Sequence, residues 1–224
     1  MHTECRSTRV LSGYSRPAIL VLAVLLSGCA LFQPYRNVTA YPPDSKPQWQ
    51  DINSAAQICR VYLDYPPLSI HAVRVDLQAQ NLNIAVYPLA PSEAGEGTSL
   101  SKKVSTFAKE NHCFVAVNAN PFAPSSATEG DLRTITGICV ANGNTVILIV
   151  IDGRTSESVG ATEEEVALWM RYFGADDAIT LDGGGSSAMA ILDGTIVLEN
   201  VPVHGNVPGV ERAVATCIGF ALRE

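Results

Sequence analysis

Residues 177–189 read DAITLDGGGSSAM, and this stretch gathers the parts of a reactive site. Asp182 offers a carboxylate. Gly183, Gly184 and Gly185 lack side chains, so a ligand can approach the main chain and the backbone can take angles closed to other residues. Their successive N–H groups can cradle an anion, with the hydroxyls of Ser186 and Ser187 as further donors. An acid beside an anion cradle suits phosphate-ester or glycosyl chemistry. A tight glycine turn with a polar rim uses the same residue types, and they leave both readings open.

The elements that must hold this stretch can be read from periodicity. The run 178–181 is short, apolar and bounded by breakers, which predicts a buried strand ending at Asp182. Before it, Thr162 and Glu165 form a capping box, Val166, Trp169, Met170 and Phe173 share one helical face, and Gly174 fits a left-handed C-terminal cap. TVILIVI at 145–151 predicts a strand that ends at Asp152-Gly153-Arg154. Strand, helix and strand therefore alternate here as in a crossover. Upstream, strands are expected at 58–65, 69–77, 81–87 and 113–117, the last ending at Asn118. Alternation in the second makes His71 a half-exposed strand histidine. A helix is expected near 101–111, capped by Ser99 or Ser101, and 119–133 reads as a polar loop. A strand at 136–141 meets Asn142-Gly143, a hairpin signal. Strands at 196–199, after Asp193-Gly194, and at 212–222 close the chain. The fold class expected is α+β, a central and mostly β sheet with helices packed on it.

The ends and the charge bound the function. Arg6, Arg9 and Arg16 precede an apolar run at 18–26 and then Ser27, Gly28 and Cys29, which reads as a secretory signal over 1–28. The ending Leu26-Ser27-Gly28-Cys29 is similar to a bacterial lipoprotein signal, which implies lipidation of Cys29, membrane attachment and an extracytoplasmic place in the cell envelope. Residues 29–50, with Pro34, Pro42, Pro43 and Pro47, read as a tether, and 51–224 as one domain. The chain carries a formal net charge of −7, and removing the signal makes the remainder more acidic. That argues against a nucleic-acid partner and against a broad basic membrane-binding face. Cys59, Cys113, Cys139 and Cys217 lie in apolar surroundings and read as packed free thiols, although an oxidising compartment would allow disulfides. No cysteine or histidine spacing suggests zinc. No acidic motif demands a metal, and a divalent cation near Asp182 is compatible with the residues.

The block VIDGRTSESVGATEEEVALWMRYFGADDAITLDGGGSSAM resembles the phosphodiester glycosidase family. FVAVNANPF at 114–122 is similar to that family's strand and following turn, GICVANG at 137–143 to its next strand and hairpin, and Glu211-Arg212 to its closing pair. The resemblance spans most of 100–224. It implies cleavage of a sugar-1-phosphodiester at the glycosidic bond, on glycan or teichoic-like material. Asp182 then corresponds to the acid of the glycine motif, and Gly183, Gly184, Gly185, Ser186 and Ser187 to its loop. Asn118, Asp152, Arg154 and Arg212 match its other polar positions. An anionic diester needs guanidinium or N–H donors, so Arg154 and Arg212 are the candidate phosphate partners. A cation-like sugar needs a carboxylate, for which Asp182 is the first choice and Asp152 the second.

Two departures stand out. Pro121 follows Asn120 and alters the turn. Asn144 runs directly into Thr145, where the family carries a longer segment with an arginine. Arg133 is the candidate replacement for that charge. The alternative to an enzyme is a catalytically impaired carbohydrate- or envelope-binding lipoprotein on the same fold.

Overall fold

The computed structural model describes residues 38–87, 98–135 and 145–223. The expected signal at 1–28, Cys29, Cys139, the strand at 136–141 and the Asn142-Gly143 hairpin lie outside the described residues. In chain order the strands are β1 (Gln50–Asn53), β2 (Ala56–Asp64), β3 (Pro67–Asp76), β4 (Leu82–Tyr87), β5 (Thr98–Leu100), β6 (Val115–Asn118) and β7 (Phe122–Ala123). They continue as β8 (Leu132–Ile135), β9 (Thr145–Ile151), β10 (Met189–Asp193), β11 (Thr195–Leu198), β12 (Val203–His204), β13 (Val207–Pro208) and β14 (Cys217–Leu222). Helix α1 spans Val104–Glu110 and α2 spans Glu163–Phe173.

Two sheets carry the architecture, one in the order β1-β2-β3-β9 and one in the order β11-β10-β6-β14-β4. Side-chain alternation assigns their faces. Val73 and Val75 of β3 and Leu148 and Val150 of β9 pack against Val115, Val117, Met189, Ile191 and Phe220 of the second sheet. The other face of the first sheet, with Cys59, Leu68, Ile70 and Ala72, covers Trp169 and Phe173 of α2. The other face of the second, with Ala85, Ala116, Ala190 and Cys217, covers Val104, Phe107 and Ala108 of α1. The result is four layers, helix, sheet, sheet, helix, and an α+β fold. β3 and β6 are buried on both faces and β9 is at least partly buried on both, which explains why β9 is apolar on nearly every residue.

Local signals set α2 closely. Thr162 and Glu165 make the capping box in both directions, and Gly174 takes φ +98°. Glu165 also accepts from the Ala40 amide (2.7 Å), and the Trp169 indole donates to the Ala40 carbonyl (3.0 Å). The packed unit begins at Thr39, so this part of the expected 29–50 linker lies on the domain. Cys59, Cys113 and Cys217 are buried free thiols.

Four expectations need correction. Residues 178–181 form no strand: they are irregular, Ile179 is exposed and only Leu181 reaches the core. The segment lies outside both sheets, so its apolar character reflects no buried ladder. Strand, helix and strand therefore make no parallel crossover here, and the paired strands of both large sheets run antiparallel. Helix α1 has no side-chain cap from Ser99 or Ser101, whose hydroxyls donate to Ala215 and Thr128 carbonyls. Glu129 accepts from the Lys103 amide and Glu211 from the Ser105 amide instead, so distant carboxylates satisfy the orphan donors. Finally, His71 is buried, because its face of β3 is the one covered by the second sheet. The polar loop 119–133 contains the short strand β7 and runs into β8, which pairs with both β5 and β7.

Candidate active site

The glycine corner hangs between the ends of β6 and β10, and Asn118 brackets it. Its buried side chain donates to the Asp182 carbonyl (2.6 Å) and accepts from the Ala188 amide (3.1 Å). The Asp182 amide donates to the Ala119 carbonyl (2.8 Å). Between these ties the chain makes one 3-10 turn at Gly184–Ser186, with Gly184 at φ +62°, a conformation that favours glycine. The Ser186 and Ser187 amides are used within the turn, on the Gly183 and Gly184 carbonyls. The amides of Gly183, Gly184 and Gly185 have no hydrogen-bond partner among the described residues.

Two guanidinium groups flank these amides. A β-carbon on Gly184 would lie 2.8 Å from Arg154 Nη2, and one on Gly185 would lie 2.5 Å from Arg212 Nη2. The absence of side chains at both positions is thus what lets the arginines close on the corner. Arg212 is held from two sides: Nε donates to His204 Nδ1 and Nη1 to Ser186 Oγ, both at 3.0 Å. Since a guanidinium only donates, His204 must keep Nδ1 unprotonated in this arrangement. Burial and the neighbouring Arg212 charge both lower the His204 pKa, in agreement. Arg154 is exposed, sits at φ +62° in the loop after β9, and has no hydrogen bond or ion pair among the described residues.

The carboxylates separate into two kinds. Asp182 is half-buried, and its carboxylate has no partner among the described residues. Asp152, expected as a second reactive acid, is 6% exposed and turned to the protein's own donors. Its Oδ1 accepts from the Val201 amide (2.9 Å) and Asn200 Nδ2 (3.2 Å), and its Oδ2 faces His71 Nε2 at 3.4 Å. On its other side His71 Nδ1 meets Glu199 Oε1 at 3.0 Å, and Glu199 is gripped by Nε and Nη2 of Arg60. His71, expected half-exposed, is a buried link in an Arg60–Glu199–His71–Asp152 chain. Burial opposes the His71 charge, but the two carboxylates outweigh it and raise the pKa. Burial likewise opposes the Glu199 charge, and hydrogen bonds from His71 and Arg60 outweigh it, so the Glu199 pKa is lowered.

Asn200 joins this chain to the corner: it donates to the Ser187 carbonyl (3.2 Å) and accepts from the Met189 amide (2.8 Å). Asn118, Asp182, Gly183–185, Ser186, Arg154 and Arg212 therefore converge on one corner, with Asp152 behind it. Arg133 makes no hydrogen bond or ion pair with them among the described residues: it is 2% exposed, donates to the Leu132 carbonyl and to Asp131, and leaves Nε without a partner there. Sequence reasoning missed His204, Glu199 and Asn200. The last two follow a strand that shows only a hairpin signal, and no local pattern marks them. No set of three His, Cys, Asp or Glu residues is placed to hold a metal among the described residues.

A sequence profile described as phosphodiester glycosidase matches residues 80–221. No curated protein matches the chain.

Proposed function

Because the chain belongs to the phosphodiester glycosidase family, we propose that it hydrolyses the glycosidic bond of sugar-1-phosphodiesters in a bacterial cell envelope. The observation that carries this reading is the corner itself: three glycine amides and the Asp182 carboxylate without a partner among the described residues, with the Arg154 guanidinium against Gly184 and that of Arg212 against Gly185. The amides, Arg154 and Arg212 bind the phosphoryl oxygens with charge-assisted hydrogen bonds. The C1–O bond then breaks, and its electron pair leaves with the phosphate monoester. Asp182 stabilises the positive charge that develops on the sugar. Water adds its oxygen to C1 and gives up a proton, so the products are a reducing sugar and a phosphomonoester. Asn118 fixes the Asp182 backbone, and Asp152 is an anchor. The signal at 1–28 and a lipid on Cys29 would hold the enzyme at the extracytoplasmic face of a membrane, where glycan and teichoic-like substrates lie.

Incubation with a panel of sugar-1-phosphodiesters, with reducing sugar measured, tests this. Turnover that Asp182→Asn abolishes, and that Arg212→Ala weakens chiefly through KM, is the expected result. No release from any diester overturns hydrolysis. The enclosed Arg133 favours a second reading, a binding lipoprotein with impaired catalysis, since its guanidinium is bound to the Leu132 carbonyl and Asp131 rather than to the corner. Diester binding without turnover in the unaltered protein would establish that reading.

A further inference from the structure

The anion corner is assembled from both sheets. Arg154 sits on the loop that leaves β9 in the first sheet, whereas the glycines precede β10 and Arg212 precedes β14, both in the second. Something must hold the two in register where the apolar inter-sheet core ends.

Arg60, His71 and Asp152 occupy that edge. On β3, His71 is the next position on the inner face after Val75 and Val73, and it pairs across the ladder with Arg60 on one side and Val150 on the other. Asp152 lies two residues beyond Val150 on the same face. The partner from the second sheet is the segment after β11, with Glu199, Asn200 and Val201. Among the described residues the groups facing His71 are therefore Asp152 from the β9 end, Glu199 from the β11 end with Arg60 of β2 behind it, and the Tyr62 ring, also on β2, roughly perpendicular to the imidazole with centroids 6.1 Å apart. Both imidazole nitrogens point at carboxylate oxygens. A neutral imidazole has one donor and could satisfy only one of them, so the geometry calls for the imidazolium.

We propose that His71 is a positioning residue for the corner: its charged ring bridges Asp152 and Glu199 across the two sheets and so keeps Arg154 in register with the glycines. The route is short. Asp152 is tied back to its loop by Ser158, whose hydroxyl donates to the Asp152 carbonyl at 2.6 Å, and Arg154 is carried on that loop. From the other carboxylate oxygen, Asn200 reaches the Ser187 carbonyl and the Met189 amide, the far end of the glycine turn. Loss of the proton removes the ring's bond to one of the two carboxylates, which then keeps only its donors on its own side, Val201 and Asn200 for Asp152 or Arg60 for Glu199, and the bridge between the sheets loosens. The raised pKa of His71 places this loss on the alkaline side of its ordinary range. The effect on anion binding rests on the function proposed above; the coupling between histidine and glycines does not.

The test uses the full chain with dimethyl phosphate, an anion whose charge is constant over the range studied. The ring nitrogen signals of His71 and the amide signals of Gly183–185 are followed from acid to alkaline pH, together with affinity. A shared midpoint is expected, with affinity falling about 5- to 10-fold as His71 loses its proton. His71→Asn should remove the midpoint and give the weak affinity throughout. Arg154→Ala should weaken binding and abolish the alkaline fall, and the double variant should be no weaker than the weaker single one. Glycine signals indifferent to the His71 titration overturn the proposal, as do additive effects of the two substitutions. If His71→Asn fails to fold, the titration of the unaltered protein decides alone. If dimethyl phosphate never binds, the anion reading falls, and the amide titration still decides the coupling.

Discussion

Three adjacent glycines offer a sharp test of the corner, because the same substitution meets a different obstacle at each. At Gly183 the backbone has φ −104° and a new methyl would meet nothing within 4 Å. At Gly185 the methyl would sit 2.5 Å from Arg212 Nη2, 2.9 Å from its Cζ and 3.2 Å from the Val203 carbonyl. Carbon contacts are comfortable near 3.5–4.0 Å, so the guanidinium must retreat by roughly 1 Å. That retreat breaks the 3.0 Å bonds to His204 and Ser186. Each is a hydrogen bond from a charged donor, and at a half-buried site their combined loss should cost about 1–2 kcal/mol of stability. Removing the guanidinium from the anion should cost about 1.5–3 kcal/mol of binding, or roughly 10- to 150-fold in affinity. Gly184→Ala combines φ +62° with an Arg154 contact at 2.8 Å, so strain of about 1–2 kcal/mol adds to a displaced arginine. Urea unfolding and calorimetric titration with a non-hydrolysable phosphodiester measure both quantities. Gly183→Ala should lie within about 0.5 kcal/mol of the unaltered protein. If Gly185→Ala binds as well as Gly183→Ala, the packing of Arg212 on the corner is not what holds the anion.

Asn118→Ala should destabilise by about 2–4 kcal/mol, because it strands the Asp182 carbonyl and the buried Ala188 amide together; urea midpoints report it. Thr162→Ala should cost about 1 kcal/mol through the capping box, read from thermal unfolding, with no change in anion affinity. The buried chain of charges gives a pH window. The raised His71 pKa contributes stability that is complete below its unfolded value of about 6.5 and is lost as pH rises through the folded value. The lowered Glu199 pKa contributes stability present above about 4.3 and lost as pH falls through the folded value. The contribution should therefore be greatest between those two values, and His71→Asn should flatten the alkaline limb of urea midpoint against pH.

The parts that the sequence determined are those whose physics is local. The capping box of α2 and its glycine stop need only neighbours in the chain, and so does the apolar run of β9 that delivers Asp152-Gly153-Arg154 to one edge. The glycine motif announced close approach to the main chain, which follows from side-chain absence alone, and the groups that approach Gly184 and Gly185 are the guanidiniums of Arg154 and Arg212. The α+β class followed from alternation and helical periodicity together.

Tertiary structure decided what each polar group faces. Alternation put His71 on one face of a strand, but only the docking of a second sheet made that face interior, and only Glu199 and Asp152 made it a place for a charge. The run 178–181 had the composition of a buried strand and lacks a ladder, because hydrogen-bonding partners are supplied by distant chain. Arg133 and Arg154 are the same residue type in stretches that both read as polar in the sequence; one lies in β8, enclosed beside Asp131, and the other stands over Gly184. Composition cannot distinguish them, since the cost of burying a charge depends on partners that folding alone brings within reach.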